Sequence, residues 1–113
     1  MLTLADVIEG LLGRRQVQSA QPIRRVVIDS REAGPGDLFV AFVGENTDGH
    51  NYVAEAFKRG AVAALVERDV PVEALKYDFR SGSTLPSFRA LSLPVVLRVD
   101  QSLGALQQLA KWW

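Results

Sequence analysis

The densest chemistry in the chain lies in residues 29–50, DSREAGPGDLFVAFVGENTDGH, which hold Asp29, Asp37, Asp48, the only histidine, His50, and a hydroxyl beside a guanidinium at Ser30 and Arg31. Carboxylates with an imidazole are the groups that hold a divalent ion or act as general acid and base. Their spacing matches no known ligand pattern, and Asp ahead of a turn or helix commonly accepts backbone N–H bonds instead. The expectation is that Asp29 and Asp48 hold turns or cap helices and that His50 is packed or capping. On that reading the chain has no catalytic residue and no metal ligand set. A small metal-dependent hydrolase using Asp29, Asp37, Asp48 and His50 is the alternative.

The elements that must position these groups follow from periodicity. Leu4, Val7, Ile8, Leu11 and Leu12 share one helical face, with Thr3 and Asp6 as reciprocal caps and Gly13 as the stop. A polar connection leads to a strand at residues 25–29. Residues 33–37, AGPGD, read as a turn, because proline presets φ and glycine accepts positive φ. Residues 38–43 are continuously apolar, as in a strand covered on both faces, and end at Gly44. Residues 51–59 form a short helix with Val53, Ala56 and Phe57 inward, stopped by Gly60, and residues 61–66 form the next strand. Strand, helix and strand make a parallel βαβ unit with a right-handed crossover. Periodicity fails over residues 68–93, where SGSTLP at 81–86 reads as an insertion. A strand at 94–99 and a helix from Ser102, with Leu103, Leu106, Ala110 and Trp113 on one face, complete the pattern. Phe39, Phe42 and Phe57 belong to the core, while Gly36, Gly44 and Gly49 serve turn geometry. The fold class is α/β, a small mixed or parallel sheet flanked by helices in one domain.

Composition narrows the function. The 113 residues are 48% hydrophobic and 23% charged, with mean hydropathy +0.07, which is globular. Thirteen Lys and Arg balance thirteen Asp and Glu, so no basic field gathers nucleic acid or anionic membrane, and a bound anion must be held by local geometry. The absence of cysteine suits a reducing compartment. With neither a signal peptide nor an apolar run of spanning length, a cytoplasmic protein is expected. The last helix lacks a stop signal at Lys111-Trp112-Trp113, which suggests a chain cut before a further domain.

Asp29-Ser30-Arg31, the run PGDLFVA at 35–41, and Gly44 followed by Asp48-Gly49-His50 resemble the N-terminal domain of the Mur ligases, ATP-dependent enzymes that build the peptide of bacterial peptidoglycan. Ala56 and Gly60-Ala61-Val62-Ala63 continue the resemblance, which is strong over residues 23–67 and looser in the flanks. It implies that residues 1–113 are a UDP-binding domain for a UDP-N-acetylmuramoyl-peptide substrate. The flanks at 2–6 and 95–113 are most similar to the member that adds D-alanyl-D-alanine to the tripeptide; the member that adds the third residue is the alternative. The family's phosphate loop ends in Gly-Lys-Ser or Gly-Lys-Thr, and neither occurs here. ATP and magnesium are therefore expected to belong to a central ATPase domain which, with a C-terminal domain, is missing from this chain. No cofactor is expected in the chain itself.

The resemblance also implies how a uridine diphosphate is held. Uracil presents an imide N–H between two carbonyls, which a side-chain amide such as Asn46, in the loop Glu45-Asn46-Thr47, can read. A diphosphate needs O–H, N–H and cationic donors, for which Ser30, Thr47 and Arg31 are candidates. The helix start at Asp48-Gly49-His50-Asn51 could turn N–H groups to a phosphate. The implied substrate-binding set is Ser30, Arg31, Glu45, Asn46, Thr47, Asp48 and His50. Arg31 as a surface ion pair is the structural alternative. At the level of function, the alternative is a non-enzymatic nucleotide-binding or interaction module with Trp112 and Trp113 as contact surface.

Overall fold

A computed structural model describes residues 3–12, 21–45, 47–79 and 93–109. Thr3 and Asp6 form the expected reciprocal cap, Thr3 N–H donating to Asp6 at 2.9 Å and Asp6 N–H to the Thr3 hydroxyl at 3.2 Å. Helix α1, Leu4–Leu12, then buries Leu4, Val7 and Ile8 completely. Gly13, residues 81–86, Asn46, Ala110, Trp112, Trp113 and the side chain of Leu12, to which the sequence assigns roles, lie outside the described residues.

Five strands follow: β1 Val26–Val27, β2 Leu38–Val40, β3 Ala63–Val66, β4 Leu75–Asp78 and β5 Val95–Arg98. They form one sheet in the order β1-β2-β3-β5-β4, with every pairing parallel, so the sheet is parallel and not mixed. The expected strands are all present and shorter than the apolar runs suggest. The run at 38–43 leaves the ladder after Val40 and regains only an isolated bridge, Val43 to Asp48. The interval 68–93, expected as an insertion, contributes β4, an edge strand whose Leu75 and Lys76 are exposed. The helix expected at 51–59 starts earlier, as a 3-10 turn at Gly49–Tyr52, and continues as α2, Val53–Lys58.

Side-chain alternation builds two cores. Leu38, Val40, Ala63, Leu65, Val95 and Leu97 face α1 and the last helix, α3, Ser102–Leu109. Phe39, Ala41, Ala64, Val66 and Val96 face the side covered by Val53 and Ala56 of α2. The result is three layers, helix, sheet and helix.

The turn at residues 33–37 docks tightly on the end of α2. Gly36 N–H donates to the Gly60 carbonyl at 3.1 Å, and a Cβ at Gly60 would lie 2.8 Å from the Pro35 backbone. Gly60 also has φ of +107°, so both space and backbone conformation require glycine. Gly104 in α3 differs: its nearest neighbour to a Cβ is 4.0 Å away. Gly60→Ala is expected to lower unfolding free energy by about 2 kcal/mol and Gly104→Ala to raise it by about 0.5–1 kcal/mol, both read from urea unfolding.

Candidate functional site

An open cleft of about 580 Å³ lies beyond the carboxyl ends of β1 and β2, where parallel α/β sheets bind ligands. Ser30 and Arg31 enter from the segment after β1, Thr47 from the loop after β2, and Glu55 from α2. Its apolar walls are Ile28, Phe42 and Tyr52, of which Ile28 is 62% and Tyr52 43% exposed.

The Ser30 side is fixed by a 3-10 turn, Ser30–Glu32, capped by Asp29, which accepts the Arg31 N–H at 2.9 Å. Asp29 also takes the Arg31 guanidinium, at 3.0 Å from Nε and 2.7 Å from Nη2. These bonds hold the Asp29 carboxyl at about 2, well below the usual carboxylate range. Arg31 thus lines the cleft with its charge already paired. Ser30 is buried, and its hydroxyl donates to Glu55 Oε2 at 3.0 Å. Glu55, which reads in the sequence as an ordinary solvent-side helix residue, therefore belongs to the site, and no local signal in the chain marks it.

The opposite lip is a pinned loop. Gly44 N–H donates to the Thr47 carbonyl at 2.7 Å and Gly49 N–H to the Phe42 carbonyl at 2.8 Å. A Cβ at Gly49 would come within 2.9 Å of Phe42 N, so the close approach itself demands glycine there. Thr47 and Gly49 line the cleft; Glu45 is exposed outside it, and Asn46 is outside the described residues.

Asp48 and His50 are engaged elsewhere. Asp48 caps the 3-10 turn by accepting His50 N–H at 3.0 Å, receives His50 Nδ1 at 2.7 Å, and pairs with Arg68. The other ring nitrogen, Nε2, accepts the Glu67 backbone N–H at 2.9 Å. An N–H can only be received by a lone pair, so Nδ1 carries the His50 proton. Both nitrogens of this 3% exposed ring are spent. Glu67, also unmarked in the sequence, accepts Ser102 N–H at 2.7 Å and so caps α3. Asp37 lies with Arg24 and Arg25 at the amino end of the strands and Asp29 with Arg31, so of the four groups of the hydrolase alternative only Asp48 and His50 meet. Among the described residues no three His, Cys, Asp or Glu converge as a metal site.

Burial raises the Asp48 carboxyl, but the His50 bonds and Arg68 outweigh it and leave it at about 2. Because the folded values of Asp29 and Asp48 are depressed, their stabilisation is present above about pH 4 and lost as pH falls toward 2. Urea unfolding free energy should therefore hold from pH 7 to 5 and drop below pH 4. Asp48→Asn should be less stable at pH 7 and show a shallower drop; an unchanged drop removes Asp48 from this account.

The family model described as "Mur ligase family, catalytic domain" matches residues 22–111. A "UDP-N-acetylmuramoyl-tripeptide--D-alanyl-D-alanine ligase" of Bacillus subtilis is 34% identical over 96% of this chain and 20% of its own length. A "UDP-N-acetylmuramoyl-L-alanyl-D-glutamate--2,6-diaminopimelate ligase" of Halalkalibacterium halodurans is 33% identical over 97% of this chain and 19% of its own. Among solved structures, MurF from Acinetobacter baumannii superposes with a TM-score of 0.63 at 28% identity, covering 97% of this chain and 20% of that one. The chain thus spans about a fifth of the length of these relatives. With the parallel sheet, the cleft and the motif residues in place, the chain belongs to the Mur ligase family.

Proposed function

We propose that this chain is the domain of a Mur ligase that binds the uridine diphosphate end of a UDP-N-acetylmuramoyl-peptide, and that the parent ligase adds D-alanyl-D-alanine to the tripeptide. The observation that carries the reading is the cleft, which joins two separated halves of the sequence motif, Ser30 and Arg31 with Thr47, at the carboxyl ends of β1 and β2. Its volume of about 580 Å³ and its mixed lining suit a nucleotide, with Ile28, Phe42 and Tyr52 against a planar base. Relatives named for UDP-N-acetylmuramoyl substrates support uridine diphosphate as that nucleotide.

In this reading the chain binds and orients, and the acid–amine ligation is carried by other parts of a longer polypeptide. ATP with magnesium would serve that ligation at a site outside these 113 residues, in which no Gly-Lys-Ser or Gly-Lys-Thr occurs. The protein would act in the cytoplasm, where nucleotide-activated precursors and ATP meet; no helix among the described residues is long and apolar enough to cross a membrane. A second reading, a parent that adds the third peptide residue, is supported by the 33% identical relative and by a "UDP-N-acetylmuramyl-tripeptide synthetase" of Roseiflexus that is 40% identical over 66% of the chain. Both readings share the uridine cleft.

Titration of the isotope-labelled chain with UDP, UDP-N-acetylmuramic acid and ADP tests the shared part. Amide shifts at Ser30, Arg31, Thr47 and Gly49 with both uridine ligands and not with ADP are expected. Equal response to ADP, or none to millimolar UDP, would count against it. Phosphate release by the whole ligase, with D-alanyl-D-alanine or with single amino acids as acceptor, separates the two parents.

A further inference from the structure

Ser30 and Glu55 form the one corner of the cleft in which a hydroxyl and a carboxylate meet among the described residues. An ionised carboxylate is acceptor-only, so the 3.0 Å contact requires that Ser30 donate its single proton to Glu55 Oε2. What Ser30 then offers the cleft is lone pairs. The second oxygen, Oε1, faces Arg59 Nη2 at 3.5 Å, and Arg59 Nη1 reaches the Arg31 carbonyl at 3.4 Å, so the carboxylate is braced from behind by the segment that carries Ser30. Ser30 itself is buried at 6% exposure. A corner made of a lone-pair oxygen beside a carboxylate attracts N–H and O–H donors and repels phosphate oxygens.

We propose that Glu55 is a positioning residue of the nucleotide site: by holding the Ser30 proton it turns Ser30 into an acceptor, and the corner selects a hydrogen donor on the nucleoside while excluding the diphosphate. The inference rests on the uridine reading above. It changes the role of Ser30, which the resemblance suggests as a hydrogen-bond donor to the diphosphate. Uridine carries two kinds of donor that fit, the imide N–H of the base and the ribose hydroxyls. CDP lacks the first, since its ring nitrogen at that position is an acceptor, and 2′-deoxy-UDP lacks one of the second.

The test compares binding of UDP, uridine, CDP and 2′-deoxy-UDP to the wild-type chain, Glu55→Leu, Glu55→Gln and Ser30→Ala, by calorimetry or NMR titration. The wild type is expected to prefer UDP over one of the two analogues by about tenfold, the loss associated with leaving one buried polar group unpaired. Which analogue is disfavoured identifies the donor. Glu55→Leu frees the Ser30 hydroxyl to donate or accept and should abolish that preference, whereas Glu55→Gln keeps a carbonyl acceptor and should retain most of it. Ser30→Ala removes only a hydroxyl, so it should fold and lose the preference too, which keeps the test decisive should Glu55→Leu not fold. Three results overturn the inference while the uridine reading stands: a wild type that binds UDP no better than either analogue, a preference that survives in Glu55→Leu or Ser30→Ala, or an equal loss for all ligands in Glu55→Leu. Failure of the wild type to bind any uridine ligand overturns the uridine reading itself, and this inference with it.

Discussion

The buried carboxylate of Asp37, at the amino end of the strands, is the constraint on which the β1–β2 edge of the sheet and the segment that crosses from one strand to the other depend. Its side chain is fully inaccessible, yet it accepts Arg24 Nε at 2.9 Å, Arg24 Nη2 at 3.0 Å, Arg25 Nη2 at 3.2 Å and the Gly34 N–H at 2.9 Å. Burial raises this carboxyl, and the two guanidiniums with the Gly34 N–H more than reverse that, so it stays charged. β1 and β2 are parallel neighbours joined only by residues 28–37, fewer than the dozen or more that a parallel crossover usually takes. Asp37 makes so short a return possible by tying the residues before β1 to the turn before β2. Its backbone carbonyl also receives Val62 N–H at 2.9 Å, which adds the entry to β3. Arg25 Nη2 reaches the Glu32 carbonyl at 2.7 Å, so the same cluster grips the 3-10 turn that presents Ser30. A buried charge stripped of its partners costs about 3–5 kcal/mol, and here the loss would fall on the segment that forms one lip of the cleft.

The other lip hangs from a second buried polar group. His50 links the start of the α2 segment to the end of β3 through Glu67, and Glu67 in turn caps α3 through Ser102. Asp48 fixes the imidazole from the opposite side and takes Arg68 from the residues after β3. Both ring nitrogens of His50 and the Asp48 carboxylate have partners in this chain of contacts, which favours a rigid arrangement, while the buried Ser102 hydroxyl has none. The Gly44–Thr47 loop is thereby referenced to the middle of the sheet, while Ser30 is referenced to its edge through Asp37.

Much of this was legible in the residues and some of it could not be. The capping pair Thr3 and Asp6, the turn at 33–37 and the buried strand, expected at 38–43 and found at 38–40, depend on neighbours within a few residues, so local pattern suffices to find them though not to end the strand. Strand β4 escaped because an edge strand with a solvent side shows neither a continuous apolar run nor a clean alternation, as Leu75-Lys76-Tyr77-Asp78 illustrates. The motif brought Ser30, Arg31 and Thr47 to attention, and the cleft does gather them. Glu55 and Glu67 could not be found that way, since their partners Ser30 and His50 lie 25 and 17 residues distant and only the fold brings them together. The same holds for His50, whose ring is consumed by a backbone N–H that no spacing rule anticipates.

The charges around the cleft then constrain how any nucleotide is recognised. Arg31 is already matched by Asp29, and Arg59, just behind the wall, by Glu55. Arg31, the guanidinium that lines the cleft, thus arrives there already paired, and the chain as a whole carries no net charge to add a long-range field. On the proposed uridine reading, the diphosphate would have to compete with Asp29 for Arg31. Discrimination is left to contacts that do not depend on charge: the Ile28, Phe42 and Tyr52 walls, the Thr47 lip, and the Ser30 oxygen. On the proposed reading, such a site would recognise the nucleoside by shape and hydrogen-bond pattern, with affinity that varies little with salt.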